Sequence, residues 1–155
     1  MFARTGSQAS AGGGKAGVVG YAHPMKVLQP PSWAKPRGFS NGIAVRGGTT
    51  VHIAGQVGWT GGGAWEARDF AGQFHQALKN VLEVVAQGGG RPEHIVRLTW
   101  YVIDRDEYLA SLKAVGEAYR DLMGRHYPAM SVVQVSALVE TQARLEIEAT
   151  AVIPD

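Results

Sequence analysis

The stretch that most constrains this chain is R-L-E-I-E-A-T-A-V-I, residues 144–153. It alternates strictly: Leu145, Ile147, Ala149 and Ala151 fall on one side of an extended strand, and Arg144, Glu146, Glu148 and Thr150 on the other. A strand with one oily and one charged face needs apolar cover on one side only. The chain must therefore build a sheet with a helical layer on one face, leaving the second face to solvent, a ligand or another copy.

Two helical segments answer that need. Between about 67 and 87, Phe70, Phe74, Leu78, Val81 and Val85 recur at helical spacing and form one apolar stripe. Q-G-G-G-R-P (87–92) ends it, because glycine caps a helix and proline cannot continue one. A second helix starts near Asp104, with Glu107 placed as a capping-box partner and Tyr108, Leu112, Val115, Tyr119 and Leu122 as its buried seam. Strands are expected at 42–45, 50–56, 94–103, about 130–137 and 144–153, with a further one near 26–29. Arg46-Gly47-Gly48 reads as a hairpin turn between the first two of these. The order gives an α+β fold: a mixed β-sheet with two helices packed on one face.

Composition narrows the function. At 155 residues the chain has room for one domain with its own core. Residues 1–24 hold six glycines, two basic residues (Arg4 and Lys15) and no acidic one, and are expected to be a flexible tail preceding a domain at 25–155. The net charge of +2 comes from this tail alone, so the domain is formally neutral and a poor match for nucleic acid. With no cysteine there is no disulfide, thiolate nucleophile or thiolate-bound zinc, which suits a cytoplasmic location. No run of 18 apolar residues suggests a membrane span. The five histidines show no ligand spacing, and no glycine-rich strand–helix turn has phosphate-binding form, so neither a metal nor a cofactor is expected.

Four blocks carry a family resemblance: F-S-N-G-I-A-V (39–45), V-H-I-A-G-Q-V-G-W (51–59), Q-A-L-K-N-V-L-E-V-V-A-Q-G-G-G-R-P-E-H-I-V-R-L-T-W-Y-V (76–102) and Y-P-A-M-S-V-V-Q-V-S-A-L with L-E-I-E-A-T-A-V-I (127–138 and 145–153). Together they resemble the RidA/YjgF (reactive intermediate deaminase, endoribonuclease L-PSP-like) family over about 130 residues. The resemblance implies a chorismate-mutase-like fold, a homotrimer, and a small-molecule cleft at each subunit interface. It also implies hydrolysis of enamines and imines, with an arginine after the Pro-Ala pair gripping the substrate carboxylate through two charged hydrogen bonds.

In this sequence that arginine's position holds Met130, which makes the chain a divergent member. Of the other cleft positions, Glu146 matches the carboxylate that orients the attacking water, and Ala54 and Gly55 match the small pair whose backbone meets the ligand. Phe39 stands for a frequent tyrosine, Val132 for a frequent cysteine and Lys113 for a usual asparagine. Trp59, just past the cleft glycine, is placed to wall a more apolar pocket. Arg144 either pairs with a neighbouring carboxylate or swings in as a substitute cation, and His52 shares a strand face with Ala54. Two functions follow: an enamine/imine deaminase, a hydrolase acting on a non-standard substrate, or a non-catalytic small-molecule-binding protein on the same scaffold. A ribonuclease fits poorly with the neutral domain.

Overall fold

The computed structural model describes residues 25–155, so the expected tail at 1–24 lies outside the described residues. Six strands and three α-helices follow in the order β1 (Lys26–Leu28), β2 (Gly42–Ala44), β3 (Thr49–Gln56), α1 (Phe70–Gln87), β4 (Ile95–Val102), α2 (Arg105–Ala110), α3 (Leu112–Met123), β5 (Ala129–Gln134) and β6 (Leu145–Ile153). A single 3-10 turn, Pro92–His94, leads into β4. The main sheet has the order β3-β6-β4-β5, with β6 antiparallel to both neighbours and β4 parallel to β5. It is a mixed sheet with helices on one face, as the sequence pattern requires.

The alternation of β6 decides which face that is. Leu145, Ile147 and Ala151 are fully buried, and so are Leu98 and Val102 of β4 beside them. They meet the α1 stripe of Phe70, Phe74, Leu78, Val81 and Val85, which together form the core. Asp69 caps α1 by accepting from Gly72 N at 3.1 Å, and Gly88 and Gly90 close it by donating to the carbonyl of Val85. Trp100 stacks against Phe74 at 4.6 Å between centroids and is core, as its spacing indicates.

Three local expectations change. The Arg46-Gly47-Gly48 turn forms, with positive φ at both glycines, yet the strands it joins do not make a hairpin. β2 pairs with β1 in a separate two-stranded sheet, whereas β3 pairs with β6, whose longer ladder offers more partners. The second helix is two: at Ser111 the N–H is shared between the carbonyls of Glu107 and Tyr108, and α3 starts anew. That break lets Tyr108 pack on Phe70 and Trp100 while Val115, Tyr119 and Met123 form the buried seam of α3, with Leu122 half-buried at its edge and Leu112 exposed. Asp104 does cap α2, but the Glu107 carboxylate is used elsewhere.

Candidate functional site

The face of the sheet away from the helices carries the polar half of the alternation. Register places Arg97 of β4 beside Thr150 of β6, Thr99 beside Glu148, and Tyr101 beside Glu146. On β5, Ala129, Ser131 and Val133 continue these rungs outward. The Tyr101 hydroxyl donates to Glu148 Oε1 at 2.9 Å, and this bond to a carboxylate raises the phenol above its usual pKa. Thr99 is buried, and its Oγ1 has no hydrogen-bond partner among the described residues.

On β3 the ladder with β6 slips between Ile53 and Gln56, so Ala54 and Gly55 together oppose Glu148 in a bulge. The bulge turns Gly55 against Glu146: a β-carbon on Gly55 would occupy the space of the Glu146 carboxylate. The sequence-expected trio Ala54, Gly55 and Glu146 is thus brought together on the open face, with both bulge residues exposed.

Met130 and Val132 lie elsewhere. Their rung partners are Leu98 and Trp100, so their side chains pack on the helical side of the sheet, against the core. Within one chain Met130 and Glu146 therefore stand on opposite faces, and an arginine at 130 would not point at its own chain's Glu146. Phe39 does join Met130: Ser40 donates from its backbone to Pro128 O at 2.9 Å and from its hydroxyl to Tyr127 O at 2.5 Å, fastening this segment along β5. Phe39, Met130, Ser131 and Arg97 then line a cavity of about 310 Å³.

Arg144 takes the first of its two expected roles. It precedes β6, and its guanidinium binds Glu107 Oε1 and the carbonyl of Arg68, both at 2.6 Å. Lys113 stands exposed on α3. Trp59 packs on Trp65 at 5.9 Å and borders a groove along α1 with Asn80, Val84 and Gln87, away from Phe39 and Met130. His52 is exposed on the open face, and His126 hydrogen-bonds Ile95 O at 2.6 Å. Among the described residues no cluster of His, Asp and Glu is arranged to hold a metal ion, and no helix is long and apolar enough to cross a membrane.

Residues not singled out from sequence complete the arrangement. Buried Asn80 donates to the carbonyls of Val57 and Trp59, and buried Gln73 to those of Ala67 and Gln142, tying the loops after β3 and before β6 to α1. Arg97, Thr99 and Tyr101 were readable as the polar phase of β4, alternating with Leu98, Trp100 and Val102.

The endoribonuclease L-PSP family model matches residues 33–153. A 2-iminobutanoate/2-iminopropanoate deaminase of Salmonella typhimurium is 32% identical over 105 residues, covering 68% of this chain and 80% of that protein. The protein of the same name from Dermatophagoides farinae is 27% identical over 139 residues, covering 84% and 98%. Among solved structures, the Rid-family protein YyfB of Yersinia pestis, of unknown function, is 34% identical with a TM-score of 0.74, covering 83% of this chain and 98% of that one. The YjgF gene product of Escherichia coli is 30% identical with a TM-score of 0.58, covering 74% and 87%.

Proposed function

Because the chain belongs to the endoribonuclease L-PSP family, the RidA/YjgF group, we propose that it is an imine deaminase: a hydrolase that adds water to the C=N bond of a small 2-imino acid and releases ammonia. The relatives named for this activity support the reaction class. The observation that carries the reading is the contact between Glu146 and the bulge at Gly55 on the open face. There the carboxylate takes a proton from the attacking water as the water oxygen bonds to the imine carbon and the C=N electron pair moves onto nitrogen, and it hands that proton to nitrogen to give the carbinolamine. The carboxylate then carries the hydroxyl proton to nitrogen as the C–N bond breaks, the carbonyl forms, and nitrogen leaves as ammonia. The backbone of the exposed bulge residues Ala54 and Gly55 is the proposed source of donors to the substrate.

The assembly in this proposal is a homotrimer in the cytoplasm, with the small-molecule cleft at each subunit interface and Phe39, Met130, Val132 and Lys113 contributing from the β5 edge and α3. A polar sheet face with an exposed Val133 at its edge supports a second copy covering part of it. Light scattering checks this: a mass of three chains is expected, and a stable monomer defeats it.

The second reading, a non-catalytic binding protein on the same scaffold, follows if Met130 stands, as the family resemblance implies, where the clamp would be. It is favoured by the commitment of Arg144 to Glu107. Generating 2-iminobutanoate in situ and following its decay separates the two readings. Acceleration by the wild type, lost about a hundredfold in Glu146→Gln, is the deaminase result. Decay unchanged by the wild type is the binding-protein result.

A further inference from the structure

A second cavity lies on the helical side of the sheet, where α3 and the segment at 37–38 meet the β5 edge. It measures about 310 Å³, at the lower end of the range for small-molecule pockets. Its wall is aromatic. Tyr119 and Tyr127 stack with centroids 5.5 Å apart and planes 4° apart, and Tyr108 stands edge-on to Trp100. Met130 adds a thioether beside the rings. The hydroxyls of Tyr108 and Tyr127 form no hydrogen bond among the described residues, and neither is closed off in the core as the Trp100 indole nitrogen is.

Two arginines stand at the rim of this cavity, Arg37 just before Phe39 and Arg120 on α3. Neither guanidinium forms a hydrogen bond or ion pair among the described residues, whereas those of Arg91, Arg105 and Arg144 each hold a carboxylate. No acidic residue lines the cavity, so both charges face it unopposed. Arg120 is turned along α3 toward Gly116: its Nη1 lies 3.5 Å from the place a β-carbon at 116 would take. Apart from that nitrogen and the helix's own backbone, nothing stands within 4 Å of the place. Glycine is disfavoured in a helix interior. Here it keeps the cavity wall low beneath the guanidinium.

We propose that this cavity binds a flat aromatic carboxylate, its ring against the tyrosines and Met130 and its carboxylate between Arg37 and Arg120. Each guanidinium donates to one carboxylate oxygen, so the two charges that lack partners in the chain find one in the ligand. The ring covers aromatic wall that a short aliphatic acid would leave wet, and selectivity for the ring follows from that burial. The assignment deepens the interface-cleft reading and rests on it for the place of the cleft along β5 and α3. It moves the anion anchor from position 130 to residues 37 and 120. It also narrows the ligand from small acids in general to those that carry an aromatic ring.

Binding is measured by calorimetry on the full chain with phenylacetate, an unreactive acid that carries both features. One site per chain is expected in the wild type. Acetate, which lacks the ring, and phenylacetamide, which lacks the charge, are each expected to bind at least about tenfold more weakly. Arg37→Gln and Arg120→Gln are each expected to weaken phenylacetate binding about tenfold. Gly116→Leu fills the wall from a helix position that favours leucine, and is expected to weaken binding at least about tenfold with an unchanged or higher urea midpoint. A wild type that binds phenylacetate no better than acetate or phenylacetamide overturns the assignment. So does unchanged affinity in either glutamine variant or in Gly116→Leu. If Arg37→Gln or Arg120→Gln changes the mass seen by light scattering, that arginine is an assembly contact and the assignment fails. Imine turnover without phenylacetate binding upholds the deaminase reading and defeats this site. Phenylacetate binding through both arginines without imine turnover does the reverse.

Discussion

The carboxylate of Glu146 lies so close to Gly55 that no side chain, not even a methyl group, fits between them. The contact joins two strands through a bulge. Gly55→Ala is expected to push the flexible Glu146 side chain aside, at a stability cost of less than about 1 kcal/mol, and to lower imine turnover by at least about tenfold. A urea titration and the turnover assay check it together. Retained activity would mean that Glu146 does not work from this position.

Met130 is half-buried against the core, in a cavity with Trp100, Tyr108 and Tyr119 whose rim already carries Arg37 and Arg120. Met130→Arg adds a third guanidinium there and removes an apolar contact. The expected cost is about 1–3 kcal/mol of stability, read as a lower urea midpoint with an unchanged slope. An unchanged midpoint would show that the new side chain reaches a carboxylate or open water.

Arg144 and Glu107 form a partly exposed pair that fastens the start of β6 to α2. A double-mutant cycle with alanine at each position is expected to give a coupling of about 0.5–1.5 kcal/mol. Because the guanidinium is engaged with Glu107 and the Arg68 carbonyl, KM for 2-iminobutanoate should stay within about twofold in Arg144→Ala. A large rise in KM would return Arg144 to the substrate.

Asn80 satisfies the carbonyls of Val57 and Trp59 from the buried side of α1. Asn80→Ala leaves both without that donor and is expected to cost about 1–3 kcal/mol. Limited proteolysis should then cut the glycine-rich segment at 61–63 more readily. Equal protease resistance in the variant would show that other contacts hold this loop.

Tyr119 donates to His126 O at 2.7 Å, and burial, with a smaller contribution from neighbouring Tyr127, holds its phenol well above the usual 10.0. Burial raises Tyr108 in the same direction. The unfolded chain ionises these groups near pH 10 while the folded chain resists, so the stabilisation is intact below that pH and declines as pH climbs through and beyond it. Tyr119→Phe should lose about 1 kcal/mol at neutral pH and show a shallower alkaline decline. Thermal unfolding from pH 8 to 11 measures both; parallel curves for the two proteins would contradict the burial argument.

Local periodicity made much of the fold legible. Period two in Leu145–Ile153 and period 3.6 in Phe70–Val85 each report which side of an element meets the core, and burial on one side is what both elements require. The same period placed Glu146 and Glu148 away from the core and Trp100 within it. The family blocks added the expectation that Gly55 and Glu146 adjoin one another at a ligand, and the structure brings the two residues together.

Partner choice was beyond the reach of period. A turn sequence at 46–48 specifies a reversal but not which strand β3 will pair with, and β6 wins because it offers the longer ladder. Nor does Asp104 followed by Glu107 reveal that the glutamate will pair with Arg144 instead of its own helix end, since that choice depends on a residue 37 positions away. The face assigned to Met130 depended on the register of β5 against β4, and a shift by one residue would have reversed it. Alternation along β6 by itself determined that Glu146 and Glu148 share a polar face. Only the tertiary structure decided that a bulge would bring Gly55 onto Glu146 and that a neighbouring strand would set Tyr101 beside it, because register between strands is settled by packing of the whole core rather than by any one segment.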